Sequence, residues 1–557
     1  MNFLQSLDDR LYLLINSLSG HSPFLDVLFS LPNVSNLVKA GPVGAALFYA
    51  WFSGQGPDRV RRRSILMVTL ISLALIVGIT KTLGSTIFVP RPLVRSVPML
   101  QLEQNKFVLE EPMPSRVPLL GANRERFEAL DQGTVTANDL ASFPSDHAAF
   151  FFPLALGILL ACRRAGVFAL VWTCIVILLT RIISGMHSPF DVVVGAGIGT
   201  GVLLLMLLIA RRLLKRTVDR MAEWTIRREA LAASFLFLVT YAAVNVLEDL
   251  KQVGNALLPL AKGARSLLAA LLALFLTGCG GDRGAALVML DPHWRAEVVA
   301  TERNGITSPD GLRWAGNRLL IADEGGHAVR SWAQNQKIST LAGRRNGIGA
   351  PEDVDQDNAG NVYFTDDKRG GLWRTDPRGS TTHLAANVGA TEGIVRAPSG
   401  RMLVGDHEGR VLSIGSGGDV RTLIPASAGI HVAESLAVAP DGSLFIGDND
   451  VDTLYVREQD GAIRVAVPAA EGFSPEGLYH SGRALFITDR KNGKLYRYTP
   501  EEGLKTLIVF AGDLAKIQGI AGDPQGNLYV TIQADIREGR GYILRLSPIG
   551  REERQPS

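Results

Sequence analysis

Four short stretches hold the residues whose chemistry stands out: Lys81; Pro90-Arg91-Pro92; Ser142-Phe143-Pro144-Ser145-Asp146-His147; and Thr180-Arg181 with His187 and Asp191 beyond it. They offer three cations, two imidazoles and carboxylate groups. Guanidinium and ammonium groups neutralise and orient phosphate oxygens, and a guanidinium can grip two at once. One imidazole can attack phosphorus while another protonates the departing oxygen near neutral pH. Fixed cations can stabilise the extra charge of the transition state, so such a reaction requires no metal. Singly, each residue has a plainer role open to it. Asp191 follows Ser188 by three positions, where an acid often serves as a helix cap, and Arg181 alone fits a snorkelling anchor. Jointly, the set points to phosphoryl transfer.

The elements that must position these groups are membrane helices. The chain has 557 residues, enough for more than one folding unit, and a net charge of +3 that gives no reason to expect a nucleic-acid partner. Nearly uncharged runs occur at 37–53, 64–80, 148–161, 166–180, 190–210 and 230–247. With their flanks, most reach the roughly 20 residues a span needs, and a soluble helix would show a polar stripe that Val192–Ala210 lacks. Basic clusters at 59–63, 163–164 and 211–228 fall at alternate connections and face the cytoplasm by the positive-inside rule. The connections 81–147 and 181–189 then face outward, and all the residues named above lie at outward helix ends. Ionisable groups there are functional candidates by default. Residues 8–34 carry Asp8, Asp9, Arg10 and Asp26 and read as a weak span or an interfacial helix. No cleavable N-terminal signal is read.

These residues resemble the type 2 phosphatidic acid phosphatase family, which shares its fold with vanadium haloperoxidases. The resemblance covers roughly residues 8–211. The family's third motif is matched by Thr180-Arg181, His187 and Asp191 at the right spacing, and its second reads Pro144-Ser145-Asp146-His147, with Asp where Gly is usual, as in bacterial polyprenyl-diphosphate phosphatases. Its first motif is looser: Lys81 stands ten positions before Arg91 instead of seven, which on a helix rotates the pair apart by roughly 80°. The resemblance implies that His187 is a nucleophile forming a phosphohistidine. Asp191 would hold its tautomer, and His147 would protonate the leaving lipid oxygen. Lys81, Arg91, Ser145, Arg181 and the backbone at Gly185 would bind phosphate. No cofactor is implied. Independently, Ser188-Pro189 reads as the cap and first residue of a helix, whose N-terminus favours a bound phosphate, and Pro144 is expected to open the helix bearing His147. Residues 93–141 form an outward loop long enough to be a lid.

Residues 262–281 have the form of a lipoprotein signal, basic start, short apolar stretch and Leu276-Thr277-Gly278-Cys279, but inside the chain. Cys279 is thus a lipidation candidate; an ordinary hydrophobic linker or further helix is the plain alternative. The apolar core is short for a span, which favours a periplasmic side for the C-terminal half.

In that half a repeat appears. Asp310, Glu352, Glu392, Glu434, Glu476 and Gln518 occupy the same place in successive units, stepping by 42, 40, 42, 42 and 42 residues, and motifs ending in Asp323, Asp366, Asp406, Asp448 and Asp489 accompany them. Short strands repeated at this period mean propeller blades, here six, with a strand from about 287–301 closing the last. The pattern resembles NHL-repeat propellers and the gluconolactonase/senescence-marker family over roughly 285–550. In that resemblance Asp310, Glu352, Glu392, Glu434 and Glu476 line the channel and can hold Ca²⁺ or another hard divalent cation. Lactonases of that family use asparagines among their ligands, a departure here at Glu434. The post-strand aspartates are expected to bond to their own turns.

The expected fold class is an all-α transmembrane helical bundle followed by an all-β six-bladed propeller. The expected domains are 1–211 phosphatase-like, 212–284 further hydrophobic segment and linker, and 285–557 propeller. The expected activity is metal-independent hydrolysis of a membrane lipid phosphate or diphosphate, undecaprenyl diphosphate first. The place is a bacterial inner membrane, multi-pass, with the site facing the periplasm and the propeller binding an unknown ligand there. The alternatives are a propeller lactonase, hydrolase or receptor on a membrane anchor, and phosphoryl transfer to an acceptor other than water.

Overall fold

The computed structural model describes residues 3–245 and 284–549, except 335, 387, 470–472 and 536–539. Cys279 lies outside the described residues. Two compact units are present: residues 1–96, 113–129 and 141–283 form one, and 97–112, 130–140 and 284–557 the other.

The first unit is helical. Its helices are α1 (Phe3–Asn16), α2 (Pro23–Val34), α3 (Asn36–Phe52), α4 (Gly56–Thr86), α5 (Ala122–Asp131, reaching into the second unit), then, beyond the second unit's α6 (Ala137–Leu140), α7 (Asp146–Ala161), α8 (Arg163–Trp172), α9 (Leu179–Ile183), α10 (Pro189–Arg212), α11 (Lys215–Arg227) and α12 (Glu229–Asn245). A π-turn, Thr173–Leu178, joins α8 to α9. Among the described residues, Gly56–Gly84, Arg163–Ile183 and Pro189–Arg212 are long and apolar enough to cross a membrane. Small residues set how closely α4, α7 and α10 approach, as expected where lipid offers no hydrophobic drive between helices. A Cβ on Gly199 would lie 2.2 Å from the Ala149 carbonyl oxygen, one on Gly195 2.4 Å from that of Ser145, and one on Gly157 2.3 Å from Thr69 Oγ1. The N-terminal helices belong to this packing. Asn16 donates to the Ile183 carbonyl at 2.9 Å, Asp9 forms a two-pronged pair with Arg95, and Asp8 accepts the Phe190 N–H at 2.8 Å.

The second unit is a β-propeller. Six blades were expected, but the propeller has five four-stranded blades: 309–342, 351–385, 391–424, 435–467, and 517–548 with β4 (Trp294–Thr301; β3 is Ala285–Met289). The closing strand falls where the sequence places it: β4 pairs antiparallel with Arg540–Pro548. The remaining sheet is a correction to the repeat reading. It has seven strands, because β1 (Met99–Glu103), β2 (Lys106–Glu110) and β3 continue the strands at 477–512, so it is not a sixth four-stranded blade. Met99, Leu100 and Gln101 pair with Val288, Leu287 and Ala286, and β3 pairs in turn with Gly503–Gly512. The stretch 93–141 is therefore not a plain lid loop, for 97–112 and 130–140 fold with the propeller. The post-strand aspartates bond not only to their own turns but to the loop entering the blade. Asp323 accepts from Thr307 and Ser308 N–H, and Asp366 from Gly349 and Ala350 N–H.

Candidate active site and propeller channel

In the helical unit two helix starts meet. Ser145 caps α7, its hydroxyl accepting from Ala148 N–H, so that helix opens at Asp146 and not at Pro144. Ser188 caps α10 with Pro189 in the first turn, as the sequence reads. The Ser145 N–H donates to the Asp191 carbonyl at 3.2 Å, which ties the two N-termini together. The helix dipoles there favour an anion, although the amides of His147, Ala148, Ser188, Phe190 and Asp191 already bond to side chains.

Arg181 joins the two histidines. Its guanidinium lies 2.6 Å from His147 Nε2, and its carbonyl accepts the N–H of Met186 and, at 3.4 Å, of His187. A guanidinium only donates, so His147 Nε2 is the acceptor and the ring proton sits on Nδ1. That proton goes to Asp146, whose carboxylate is 2.6 Å away. Asp146 reads in the sequence only as a motif variant, and its role as acceptor to His147 was missed; its adjacency to the histidine was the available signal. His187 Nδ1 lies 2.8 Å from the Ser142 carbonyl, an oxygen that can only accept, so its Nε2 carries the lone pair. The motif resemblance assigned that orienting role to Asp191. Asp191 instead stands 4.0 Å from His187 Nδ1 and completes a capping box with Ser188. A backbone acceptor carries no side-chain signal, which is why Ser142 could not be foreseen. His187 is buried, and burial, reinforced by Arg181 and Arg91, pushes its imidazole down to about 3. The ring is neutral at pH 7.

Arg91 is held by its Nε–H to the Ala141 carbonyl at 2.9 Å and by Met186 Sδ at 3.4 Å. Gly185 has φ +70°, and its carbonyl accepts from Leu93 N–H at 2.9 Å. A Cβ there would press on Leu93 and Tyr12 at 3.1–3.2 Å, so the turn before His187 needs glycine. Lys81 is exposed on α4 and makes no hydrogen bond or ion pair with these groups among the described residues. Half-buried Lys39 on α3 instead adds a positive charge felt by Arg181, Asp146 and His147, which the motif spacing could not reveal.

With this geometry in view, sequence comparison is decisive for the helical part. Residues 64–215 match the family model of the PAP2 superfamily. They form a PAP2 superfamily domain. No curated protein matches the chain. Among solved structures the chain is similar to a catalytically inactive virginiamycin B lyase from Staphylococcus aureus with quinupristin (16% identity, TM-score 0.37, 46% of this chain and 100% of that one). It is also similar to a putative gluconolactonase (14%, 0.38, 47% and 94%) and to a gluconolactonase from Xanthomonas campestris (15%, 0.37, 46% and 89%).

In the propeller, Asp310, Glu352, Glu392, Glu434 and Glu476 line one small cavity of about 40 Å³. Burial first, and repulsion from neighbouring acids for most of them, raises all five above the usual carboxylate range. Their partners differ. Glu476 has Arg490 at 3.4 Å and Asn449 at 3.1 Å, and Asp310 has Gln533 at 3.0 Å. Glu352 and Glu434 have no side-chain hydrogen-bond or ion-pair partner among the described residues. Glu392 bonds to His407 Nε2, which lies 3.7 Å from Asp367 Oδ1. These three donors lie within 4.8 Å of one another and can hold a metal ion. Asp367 and His407 come directly after the turn aspartates Asp366 and Asp406 in sequence. They were missed because only the first-strand position was read as channel-facing.

Proposed function

We propose that the protein is a membrane lipid phosphatase that hydrolyses a lipid phosphate or diphosphate through a phosphohistidine, with undecaprenyl diphosphate as first candidate. One observation carries the reading: His187 is neutral, with Nδ1–H fixed on the Ser142 carbonyl and Nε2 left as a lone-pair donor within the field of Arg181 and Arg91. An incoming phosphate draws the Arg181 guanidinium from His147 to its own oxygens, with Arg91 and the positive ends of the two helix dipoles. Nε2 of His187 attacks phosphorus. Freed from the guanidinium, His147 Nε2 takes up a proton from the bound phosphate, steadied as a cation by Asp146, and gives it to the leaving lipid oxygen; it then withdraws one from the water that hydrolyses the phosphohistidine. Lys39 supports the charge of the transition state; Lys81 is too exposed to be favoured for that role. The PAP2 superfamily domain supports a phosphatase-type hydrolase.

The apolar helices support a membrane protein, and the basic clusters at alternate connections favour an inner membrane with the site facing the periplasm. The propeller contains residues from the connection between α4 and α7, which supports the same compartment for it. There it acts as a binding or sensing module. Asp367, Glu392 and His407, with the acid ring, are the residues that would hold Ca²⁺ or another divalent cation, the observation that favours a second reading, a metal-dependent propeller hydrolase or receptor.

Purified full-length protein is incubated with undecaprenyl diphosphate and EDTA. Phosphate release that persists without metal, is lost in His187→Ala and passes through a trapped phosphohistidine supports the phosphatase. Release indifferent to His187→Ala removes it, and sugar-lactone turnover abolished by EDTA favours the second reading.

A further inference from the structure

Beyond its acid ring the propeller channel widens into a polar bowl of about 800 Å³, within the range of small-molecule pockets. Arg313 and Leu478 line both the small acid-ring cavity and the bowl, so Arg313 stands between the two. The strand register explains the position. Arg313, Asp355 and Tyr479 each follow a ring acid (Asp310, Glu352, Glu476) by three residues, which is about 10 Å along an extended strand. Turn residues Asn317 and Asn358 line the bowl as well.

The charged groups left to bond in the bowl are donors. Its two carboxylates are already taken. Asp355 accepts from the Gln356 and Arg396 N–H groups and from Arg313. Asp357 accepts from the Ala359 and Asn361 N–H groups, the Asn361 side chain and the Tyr363 hydroxyl. The guanidinium groups keep capacity in hand. Arg318 has no hydrogen-bond or ion-pair partner among the described residues, Arg396 gives one side-chain N–H to Asn358, and the buried Arg313 Nε–H has no acceptor. The Gly482 N–H donates to His480 Nδ1 at 3.1 Å, so the neutral ring carries its proton on Nε2. Neither that nitrogen nor the Tyr479 hydroxyl has a partner among the described residues. A buried donor without an acceptor is costly, and planar guanidinium groups match the oxygens of carboxylates and phosphates. We propose that the bowl binds a small organic anion, a carboxylate or a phosphate ester, held by Arg318 and Arg396 with Arg313, Tyr479 and His480 as further donors. The proposal rests on the reading of the propeller as a binding module. It gives that module a ligand class, at the other end of the channel from Glu392 and the acid ring.

Purified full-length protein, stripped of metal with EDTA and desalted, is titrated calorimetrically at low salt. The probes are tricarballylate, propane-1,3-bisphosphonate, whose P–C bonds resist hydrolysis, and neutral glutaramide. The expected result is saturable binding of one or both anions and none of glutaramide; the anion that binds tells a carboxylate ligand from a phosphate ester. Arg318→Gln and Arg396→Gln should each weaken that binding about tenfold or more. A ligand-free melting midpoint equal to that of the wild type shows that each variant is folded. Binding of neither anion by the wild-type protein, or affinities unmoved in both variants, overturns the proposal and leaves the module open to another ligand. Sugar-lactone turnover by the wild-type protein removes the module reading instead, while the anion affinities still report on the bowl.

Discussion

Replacing Asp146 by asparagine separates the work proposed for the acid, His147, from that proposed for the nucleophile, His187. In the wild-type protein the carboxylate accepts the His147 Nδ1–H at 2.6 Å, and the other ring nitrogen faces Arg181. For His147 to act as an acid it must carry two protons, and a carboxylate in contact stabilises that cation. Asparagine keeps the shape and a neutral acceptor but removes the charge. A hydrogen bond to a charged group is worth about 1.5–3 kcal/mol against 0.5–1.5 for a neutral one, a loss near 1.5 kcal/mol. Two unit charges 4 Å apart at an effective dielectric of 20 set an upper bound of about 4 kcal/mol. The expected fall in kcat on a lipid phosphate is therefore about 10-fold to 10³-fold. The assay compares a lipid phosphate with p-nitrophenyl phosphate, whose leaving group needs little protonation. Asp146→Asn should retain most activity on the aryl ester while losing it on the lipid. An equal loss on both would refute the reasoning, for it would mean that Asp146 only supports the fold.

Other contacts lead to further expected outcomes. Gly199→Ala puts a methyl 2.2 Å from the Ala149 carbonyl, an overpacking that costs about 1–3 kcal/mol and shifts α10 against α7; phosphate release should fall about 10- to 100-fold, whereas Gly78→Ala on α4, open within 4 Å, should behave as wild type. Because His187 is depressed to about 3, the neutral nucleophile persists well below pH 6.5 and is lost only as pH falls through the depressed value; a kcat/KM profile of His147-independent aryl ester hydrolysis that drops with a midpoint at 6.5 would contradict this. In the propeller, acids with raised folded-state values bind protons that the unfolded chain has released, so their contribution is present at low pH and lost as pH rises; for Asp353, raised to about 6, the window is pH 3.8–6, and for the ring acids, also raised, the loss likewise falls above the ordinary carboxylate range. Glu434→Gln should then raise the propeller's melting midpoint in EDTA by a few degrees at pH 7.5, from about 1–2 kcal/mol of relieved repulsion, with a smaller gain at pH 5; a lowered midpoint at pH 7.5 would show that the carboxylate is satisfied.

Motif spacing made the helical site readable because its residues sit at fixed offsets from helix starts. Thr180-Arg181, His187 and Asp191 needed only counting, and Ser188-Pro189 announced the cap of α10. What escaped was chemistry carried by the backbone or by other elements. The Ser142 carbonyl has no letter of its own, Lys39 comes from a helix outside the motifs, and Asp191 does the capping that its position after Ser188 also allowed. The blades were legible from a period near 42 residues, since each unit repeats its first-strand acid and its turn aspartate. The three added strands of the enlarged sheet were not. Met99–Gln101 pair with residues nearly 190 positions later, and no local pattern specifies so distant a partner.

That enlarged sheet bears on how such a chain could be dismantled. β1 is an interior strand, with β2 on one flank and β3 on the other. A protein cut short before residue 284 would keep the hairpin but lose its neighbour, baring the amides and carbonyls of Met99–Glu103 to the first β-edge encountered. The carboxy-terminal half made alone would bare β3 likewise. Neither is a free-standing cassette, and clean excision of the propeller requires removing the hairpin as well.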